Sequence, residues 1–441
     1  MFGFHVSREW AAGEKPPLSQ QVAAARRFFD AQFRCGAPGQ AFAFQVFLAG
    51  PRGAKLAIDS REAEGLAAYV QECNKEGRPT WGVAHGTYID IPWDSGKPNH
   101  LWTAKFIRKE VGWARGAGLA GLVIHFGKPN HEQTLEVLPW LIPEGEGARG
   151  HDLPPAGHGL VADRKGKIPK PSTPRVIHEG AARVRRRLVD LVQDSERKGA
   201  KDVSARTRKR LAELVRTGEG KDAEKGPAAP PGGCYLPSVA SRRPLPFPEG
   251  HSRNELPPLR ARLGAEPRPT SAACVRMYLE VPHVLPAHSH YESPAKLIEF
   301  FRSVRARVDP DLAFFGLCID TAHLWASGAD ISSYKKASAW LDQLEEGHSV
   351  IPPHAILLHL NDNKNGLGGG LDAHEVLLRG KIWGGYAHTP EQSGLAAFVD
   401  YAVRHGVPTI LERKADKGQH AISLKEALRD DLTTLAGLLC A

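Results

Sequence analysis

The sequence predicts an α/β fold in which eight parallel strands alternate with helices and close into a (β/α)8 TIM barrel. Eight short runs rich in Val, Ile, Leu and Phe recur along the 441 residues, and segments with helical spacing lie between them. The runs are almost continuously apolar, which is typical of strands buried on both faces. Eight strands that alternate with helices are the number that a closed barrel needs.

An open, doubly wound sheet is the alternative architecture. No Gly-x-Gly-x-x-Gly pattern follows a strand, so a dinucleotide site has no support. The predicted strands are Phe2–Val6, Ala41–Leu48, Trp81–His85, Gly121–Phe126, Val275–Val281, Phe314–Asp320, Ala355–Asn361 and Pro408–Glu412. The predicted helices are Gln20–Gln32, Arg61–Glu76, Thr103–Gly116, Ser293–Val308, Ser333–Glu345 and Glu391–His405.

The third to eighth predicted strands each carry a His, Asp or Glu residue at or near their carboxyl ends. In a barrel of parallel strands these ends converge on one mouth, where the active site is built. Three more residues of these types follow the sixth and seventh strands closely. The nine residues are His85, His125, Glu280, Asp320, His323, His359, Asp372, His374 and Glu412.

So many acidic and imidazole groups in one small space would be costly without a cation, because desolvated carboxylates repel one another. Imidazole and carboxylate ligands without thiolate suit Zn²⁺ or Mn²⁺. Nine ligands are too many for one tetrahedral ion. The sequence therefore predicts a site for two or three metal ions.

Three motifs resemble the endonuclease IV family. Gly3-Phe-His5-Val-Ser7 is similar to the family's opening Gly-x-His-Val-Ser. The stretch Gly316–Gly328 contains Gly-Leu-Cys-Ile-Asp-Thr-Ala-His, which resembles the family's Gly-Val-Cys-Ile-Asp-Thr-Cys-His. The stretch His359–Lys364, followed by Leu371–Glu375, is similar to its His-Leu-Asn-Asp-x-Lys and Asp-x-His signature.

The resemblance implies three zinc ions, with Mn²⁺ as an alternative at one site. The first ion would be bound by His85, His125 and Glu280. Glu280 would bridge to the second ion, which Asp320, His359 and Glu412 would complete. The third ion would be bound by His323, Asp372 and His374.

The family's reaction is hydrolysis of the phosphodiester 5′ to an abasic site in duplex DNA, which leaves a 3′-hydroxyl and a 5′-deoxyribose phosphate; trimming of 3′ ends can accompany it. The resemblance assigns catalytic roles to Glu280 and Glu412, of which Glu412 would orient the attacking water or act as its base. It also places Arg52, Tyr88 and Ile89 at side chains that enter the DNA at the lesion.

The chain departs from the family pattern after two of the ligands. After Glu280, the family's Asn-Thr-Ala-Gly-Gln becomes Val-Pro-His-Val-Leu. After His125, its Pro-Gly-Ser becomes Phe-Gly-Lys, and Lys128 would either replace a lost phosphate contact or be a solvated loop lysine. His283, His288 and His290 follow Glu280 in a Pro-rich loop, where surface histidines are the expectation and extra metal ligands are the alternative.

Strands four and five are separated by a long insertion. The prediction divides the chain into a first half-barrel (1–140), a basic Pro/Gly-rich insertion (141–272) and a second half-barrel (273–441). Between Leu141 and Thr270 there are 26 Lys and Arg against 16 Asp and Glu, whereas the whole chain carries +9. The segment 176–193 has helical spacing and would supply the barrel's own helix. The insertion would either contact DNA phosphates or be a tolerated loop excursion.

The composition and the N-terminal sequence indicate the cellular compartment in which the protein acts. No apolar run is long enough for a membrane span, and the N-terminus lacks the pattern of a secretory signal. Six scattered cysteines without C-x-x-C spacing indicate reduced thiols in the cytoplasm or nucleus. Duplex DNA is the expected partner, and the resemblance implies a monomer.

Two other functions remain open at this stage. A sugar isomerase or epimerase of the related xylose-isomerase-like barrels would need one or two ions, so the third ligand set argues against it. A catalytically inactive DNA-binding protein is disfavoured because no ligand position is degraded.

Overall fold

The computed structural model describes residues 1–7, 10–11, 15–33, 40–49, 58–86, 100–125, 131–142, 274–283, 291–413 and 423–440. The predicted insertion 141–272 lies outside these ranges except for Leu141 and Ile142, and so does its helix predicted at 176–193. Among the described residues, no helix is both long and apolar enough to cross a membrane.

Eight parallel strands close into a barrel, which confirms the predicted (β/α)8 fold. Their order around the barrel is β1-β10-β7-β6-β5-β4-β3-β2, and β2 pairs with β1 to complete the circle. Two short strands, β8 (Asp362–Asn363) and β9 (His374–Glu375), form a separate antiparallel pair. The barrel strands are β1 (Phe2–His5), β2 (Phe42–Phe47), β3 (Thr80–His85), β4 (Gly121–His125), β5 (Arg276–Glu280), β6 (Phe315–Asp320), β7 (Ile356–His359) and β10 (Thr409–Leu411).

Helices follow the strands along the described part of the chain. They are α1 (Leu18–Gln32), α2 (Ser60–Lys75), α3 (His100–Gly116), α4 (His131–Val137), α5 (Pro294–Arg307), α6 (Thr321–Ala326), α7 (Tyr334–Glu346), α8 (Gly394–His405) and α9 (Leu424–Cys440). The six predicted helices correspond to α1, α2, α3, α5, α7 and α8. Sequence reasoning missed α4, α6 and α9.

The start of the missed helix α6 is set by a single side chain. Asp320 is the last residue of β6. Its carboxylate accepts hydrogen bonds from the backbone N–H groups of Ala322 and His323 at 2.7 and 3.0 Å. A carboxylate in this position satisfies N–H groups that have no partner within the helix. The strand therefore passes directly into a helix that carries His323.

A small layer of side chains fills the interior of the barrel. It consists of Ala43, Val83, Val123, Tyr278, Cys318, Leu357 and Ile410, one from each strand from β2 to β7 and from β10. Successive side chains of a strand alternate between the two faces, so residues two positions later point into the barrel as well. Those positions are Gln45, His85, His125, Glu280, Asp320, His359 and Glu412. The barrel therefore stacks a polar layer directly on an apolar one.

Candidate metal centre

The polar layer, together with three residues from the segments after β6 and β7, forms groups that could each hold a metal ion. In the first two groups named below, one ligand atom from every member lies within 4.8 Å of one from every other member. The members of the third belong to two overlapping sets of this kind, one of His283, His323 and Asp372 and one of Asp320, His323 and His374. We call His85, His125 and Glu280 the first group, and Glu280, Asp320, His359 and Glu412 the second group. His323, Asp372 and His374 are the third group. Together they contain all nine predicted ligands, which converge at the barrel mouth.

The first group centres on one oxygen of Glu280. Glu280 Oε2 lies 3.0 Å from His125 Nε2 and 3.4 Å from His85 Nε2. The strands place these residues together, because His125 is the register partner of Glu280 across β4 and β5. His85 Nδ1 donates to the Gly86 carbonyl at 2.8 Å. This bond directs the other ring nitrogen of His85 towards Glu280, as in metal-ligating histidines.

The second group uses the other oxygen of Glu280. His359 Nδ1 lies 2.8 Å from Glu280 Oε1, 3.4 Å from Glu412 Oε2 and 3.8 Å from Asp320 Oδ2. Glu280, Asp320 and His359 are almost completely buried. Because Glu280 turns one oxygen to each group, its geometry suits a carboxylate that bridges two ions.

Two amide side chains position the second group. The Gln45 amide accepts from His359 Nε2 at 2.9 Å and donates to Glu412 Oε1 at 2.5 Å. The Asn361 amide donates to Asp320 Oδ2 at 2.7 Å and accepts from the Glu412 backbone N–H at 2.9 Å. These bonds leave His359 Nδ1 and Glu412 Oε2 directed at the group.

The third group lies on the segments that follow β6 and β7 and not on barrel strands. His323 lies on α6, and His374 opens β9, two residues after Asp372. Asp372 Oδ1 lies 2.7 Å from His374 Nε2 and 3.6 Å from His323 Nε2. His323 Nδ1 donates to the Val281 carbonyl at 2.8 Å, and His374 Nδ1 to the Glu412 carbonyl at 3.2 Å. Both rings therefore present Nε2 to the group.

The electrostatics favour ionised carboxylates. Burial opposes a charge on Glu280, but the imidazoles of His125 and His359 hold its pKa well below the usual range. Burial also disfavours the Glu412 carboxylate, yet its neighbouring histidines, His359 first among them, lower its pKa to about 2. The positive charge of protonated imidazoles therefore compensates the carboxylates. A divalent cation can replace those protons, since metal binding to histidine releases them.

The residues present fit metal ions by two further criteria. Glu280 Oε2, Asp372 Oδ1 and His374 Nε2 are buried, and their short contacts with His125 and with each other lack hydrogen-bond geometry. Such atoms are rare in folded proteins, and an ion is one way to satisfy them. The set of imidazoles and carboxylates is also the donor chemistry of zinc.

The structure corrects the expectation for one histidine. His283 is half-buried instead of lying on the surface, and its ring centroid is 4.8 Å from that of His323. Burial, reinforced by the charge of His323, lowers the pKa of His283 to about 4. The predicted DNA contacts Arg52, Tyr88, Ile89 and Lys128 lie outside the described residues, as do His288 and His290.

Sequence reasoning missed the supporting amides Gln45 and Asn361. A signal for Gln45 exists, because it follows the interior-layer residue of its strand, Ala43, by two positions, as His85 follows Val83 on β3. Asn361 follows the strand β7, so strand alternation alone does not place it.

A closed barrel with three adjoining His and carboxylate groups at its mouth defines a metal-dependent enzyme of the (β/α)8 class. No protein-family model matches the chain. The chain is 45% identical over 395 residues to a protein named probable AP endonuclease from African swine fever virus, covering 90% of this chain and 86% of the viral protein. A segment of 114 residues is 31% identical to a probable endonuclease 4 from Thermosipho africanus, covering 26% of this chain and 37% of that protein.

A solved structure is similar along the whole length. The crystal structure described as AsfvAP:AG has a TM-score of 0.62 and 27% identity, and the match covers 100% of this chain and 99% of that one. The chain belongs to the endonuclease IV family of AP endonucleases.

Proposed function

We propose that this chain is a metal-dependent AP endonuclease of base excision repair. It hydrolyses the phosphodiester on the 5′ side of an abasic site in duplex DNA and leaves a 3′-hydroxyl and a 5′-deoxyribose phosphate. The observation that carries this proposal is that three ligand groups adjoin at the barrel mouth and two of them share Glu280. The 45% identity to a named AP endonuclease supports it.

We assign three zinc ions to the three groups, with Mn²⁺ as an alternative at one of them. The first group would hold one ion, the second group the next, and the third group the last. When bound, such ions polarise phosphodiester oxygens and stabilise the negative charge that grows in the transition state.

Two carboxylates carry the catalytic roles. Glu280 is fully buried and offers one oxygen to each of two groups, so it holds them at a constant separation. Glu412 is more accessible, with 14% of its side chain exposed, and Gln45 holds one of its oxygens. Its other oxygen would accept a hydrogen bond from the attacking water and orient it towards the phosphorus.

Recognition of DNA would come from residues around the mouth. Arg52, Tyr88 and Ile89 would enter the duplex at the lesion, where the missing base makes unstacking least costly. Lys128 and the basic insertion 141–272 would contact phosphates. We further propose that the protein acts as a monomer inside the cell, in the cytoplasm or nucleus.

An end-labelled duplex with one abasic site tests the reaction. We expect a single cut on the 5′ side, with a 3′-hydroxyl end, that disappears after prolonged chelation and returns with zinc. A Glu412→Gln preparation made in parallel controls for a contaminating nuclease. If zinc-loaded protein does not cut, the proposal is wrong. Turnover of sugars would then indicate an isomerase, and DNA binding without cutting would indicate a scaffold.

A further inference from the structure

His283 lies beside the third group, at a position where the chain departs from the endonuclease IV pattern. We propose that His283 is an additional protein ligand of the third ion, next to His323, Asp372 and His374. This inference rests on the proposed function, because it assumes that the third group holds an ion.

The first support is distance. Ligand atoms of His283, His323 and Asp372 all lie within 4.8 Å of one another, as do those of Asp320, His323 and His374. His323 belongs to both sets, and Asp372 Oδ1 is 2.7 Å from His374 Nε2. One ion beside His323 and Asp372 is therefore also close to His283.

The second support is an unsatisfied atom. His283 Nδ1 is buried and forms no hydrogen bond with the described residues. Asp372 Oδ1 and His374 Nε2 are also buried, and their 2.7 Å contact with each other lacks hydrogen-bond geometry. Buried polar atoms without a partner are rare, so three of them around one point indicate a shared ligand. His323 is oriented to the same point, since its Nδ1 is committed to the Val281 carbonyl.

The third support is that the backbone holds His283 in place. Val281 N–H donates to the Cys318 carbonyl at 3.0 Å, which extends the β5–β6 pairing beyond Glu280. The Val281 carbonyl accepts from His323, and the Pro282 carbonyl accepts from Ser327 Oγ at 3.0 Å. The short segment before His283 is thus tied to β6 and α6. The position of its ring follows from the elements that carry the ligands.

If His283 is a ligand, the number of protein ligands differs between the first and the third ion. The first group offers three protein ligands, whereas the third group with His283 offers three imidazoles and one carboxylate. Four protein ligands complete the tetrahedral set that zinc adopts in closed protein sites. We therefore expect His283 to raise the affinity of the third ion.

A packing role for the His283 ring must be separated from ligation, since the ring lies against His323. Two variants do this. His283→Ala removes both the ring and the nitrogen atoms, whereas His283→Phe keeps an aromatic ring and removes only the nitrogen atoms. His388→Ala, at an exposed histidine far along the chain, is the matched control.

The experiment equilibrates zinc-loaded full-length protein with increasing chelator and measures zinc per chain. We expect both His283 variants to lose one ion at least about tenfold more readily than the wild type and His388→Ala. The two ions that remain would show that the variants are folded. Cobalt-substituted protein should show a changed visible spectrum in both variants.

Three results would overturn the inference: unchanged retention in both variants, retention by His283→Phe alone, or a wild type that never holds a third ion. Cleavage at an abasic site is measured on the same preparations. Wild-type protein that cuts DNA while the variants keep every ion would refute the inference and leave the proposed function standing. Zinc-loaded wild type that does not cut would refute the function itself.

Discussion

The second and third ligand groups lie side by side at the barrel mouth, but different structural elements build them. Glu280, Asp320 and His359 end barrel strands and are essentially inaccessible. In the third group, Asp372 and His374 come from the connection after β7, and 22% and 10% of their side chains are exposed. The second group therefore depends on the barrel, whereas the third group depends on a long connection and the bonds that hold it.

Because barrel strands hold the second group and a connection holds the third, we expect the second group to be the more rigid of the two. Ligands on strands are held by the register of a closed sheet, which local changes scarcely alter. Ligands on a connection move with that segment. We expect variants of the second group to affect the reaction. Variants of the connection after β7, which carries Asp372 and His374 and is called the outer connection below, should affect the affinity of a single ion.

The largest expected effect comes from removing the shared ligand. Glu280→Gln replaces an oxygen that faces each of two groups with an amide, so we expect both ions to be weakened and cleavage to fall by about 10³-fold or more. Zinc per chain and single-turnover cleavage measure this. The matched control is Glu299→Gln on the exposed face of α5. Loss of a single ion without loss of cleavage would contradict the shared role of Glu280.

The next effect concerns the link between the second group and the C-terminal helix. Arg413 Nε donates to Asp431 Oδ2 of α9 at 2.6 Å, and its Nη1 donates to Asn361 at 2.7 Å. Arg413→Leu leaves the Asp431 carboxylate buried and unpaired. We expect a loss of about 3–5 kcal/mol in the free energy of unfolding, measured by urea denaturation.

An exposed ion pair on the same helix is the control for that variant. Arg379 lies 2.7 Å from Asp430, and both side chains are largely exposed. Because solvent screens such pairs, Arg379→Leu should change the free energy of unfolding by no more than about 1 kcal/mol. Equal losses in the two variants would show that the Arg413 pair does not act through burial.

The outer connection gives a prediction about how the stability of the fold depends on pH. The Asp362 carboxylate of β8 accepts backbone N–H bonds from Gly380 and Ile382, which hold the far end of the connection. Burial raises its pKa from 3.8 to about 6, so the folded protein keeps a proton that the unfolded chain releases. Stability from this group is present below about pH 4 and is lost as the pH rises to about 6.

The measurement is the free energy of unfolding at several pH values for the wild type and Asp362→Asn. We expect the wild type to lose up to about 3 kcal/mol relative to the variant between pH 4 and pH 6. Parallel pH profiles in the two proteins would mean that Asp362 does not titrate in this range.

The smallest effect is expected at the amide that supports the second group. Gln45→Ala removes the bonds to His359 and Glu412 but no ligand atom. We expect cleavage to fall about 10–100-fold while zinc per chain stays the same at saturating metal. Gln343→Ala, at an exposed position of α7, should cleave like the wild type. A loss of zinc at saturation would instead indicate that Gln45 shapes the whole site.

Much of the fold could be predicted because its strands and ligands follow simple periodicities. The apolar runs marked each barrel strand to within about two residues, since a strand buried on both faces must be apolar along its length. The helix α6 was missed because it has only six residues, Thr321–Ala326, which are too few for helical periodicity to be recognised.

What the sequence by itself determined is the barrel and the convergence of nine possible ligands at its mouth. Parallel strands must end together, so residues at their ends must meet. Only the tertiary structure decided that Gln45 and Asn361 support these ligands and that His283 turns towards His323. These contacts join residues far apart in the chain, and their distances depend on strand register and backbone hydrogen bonds that no local pattern records.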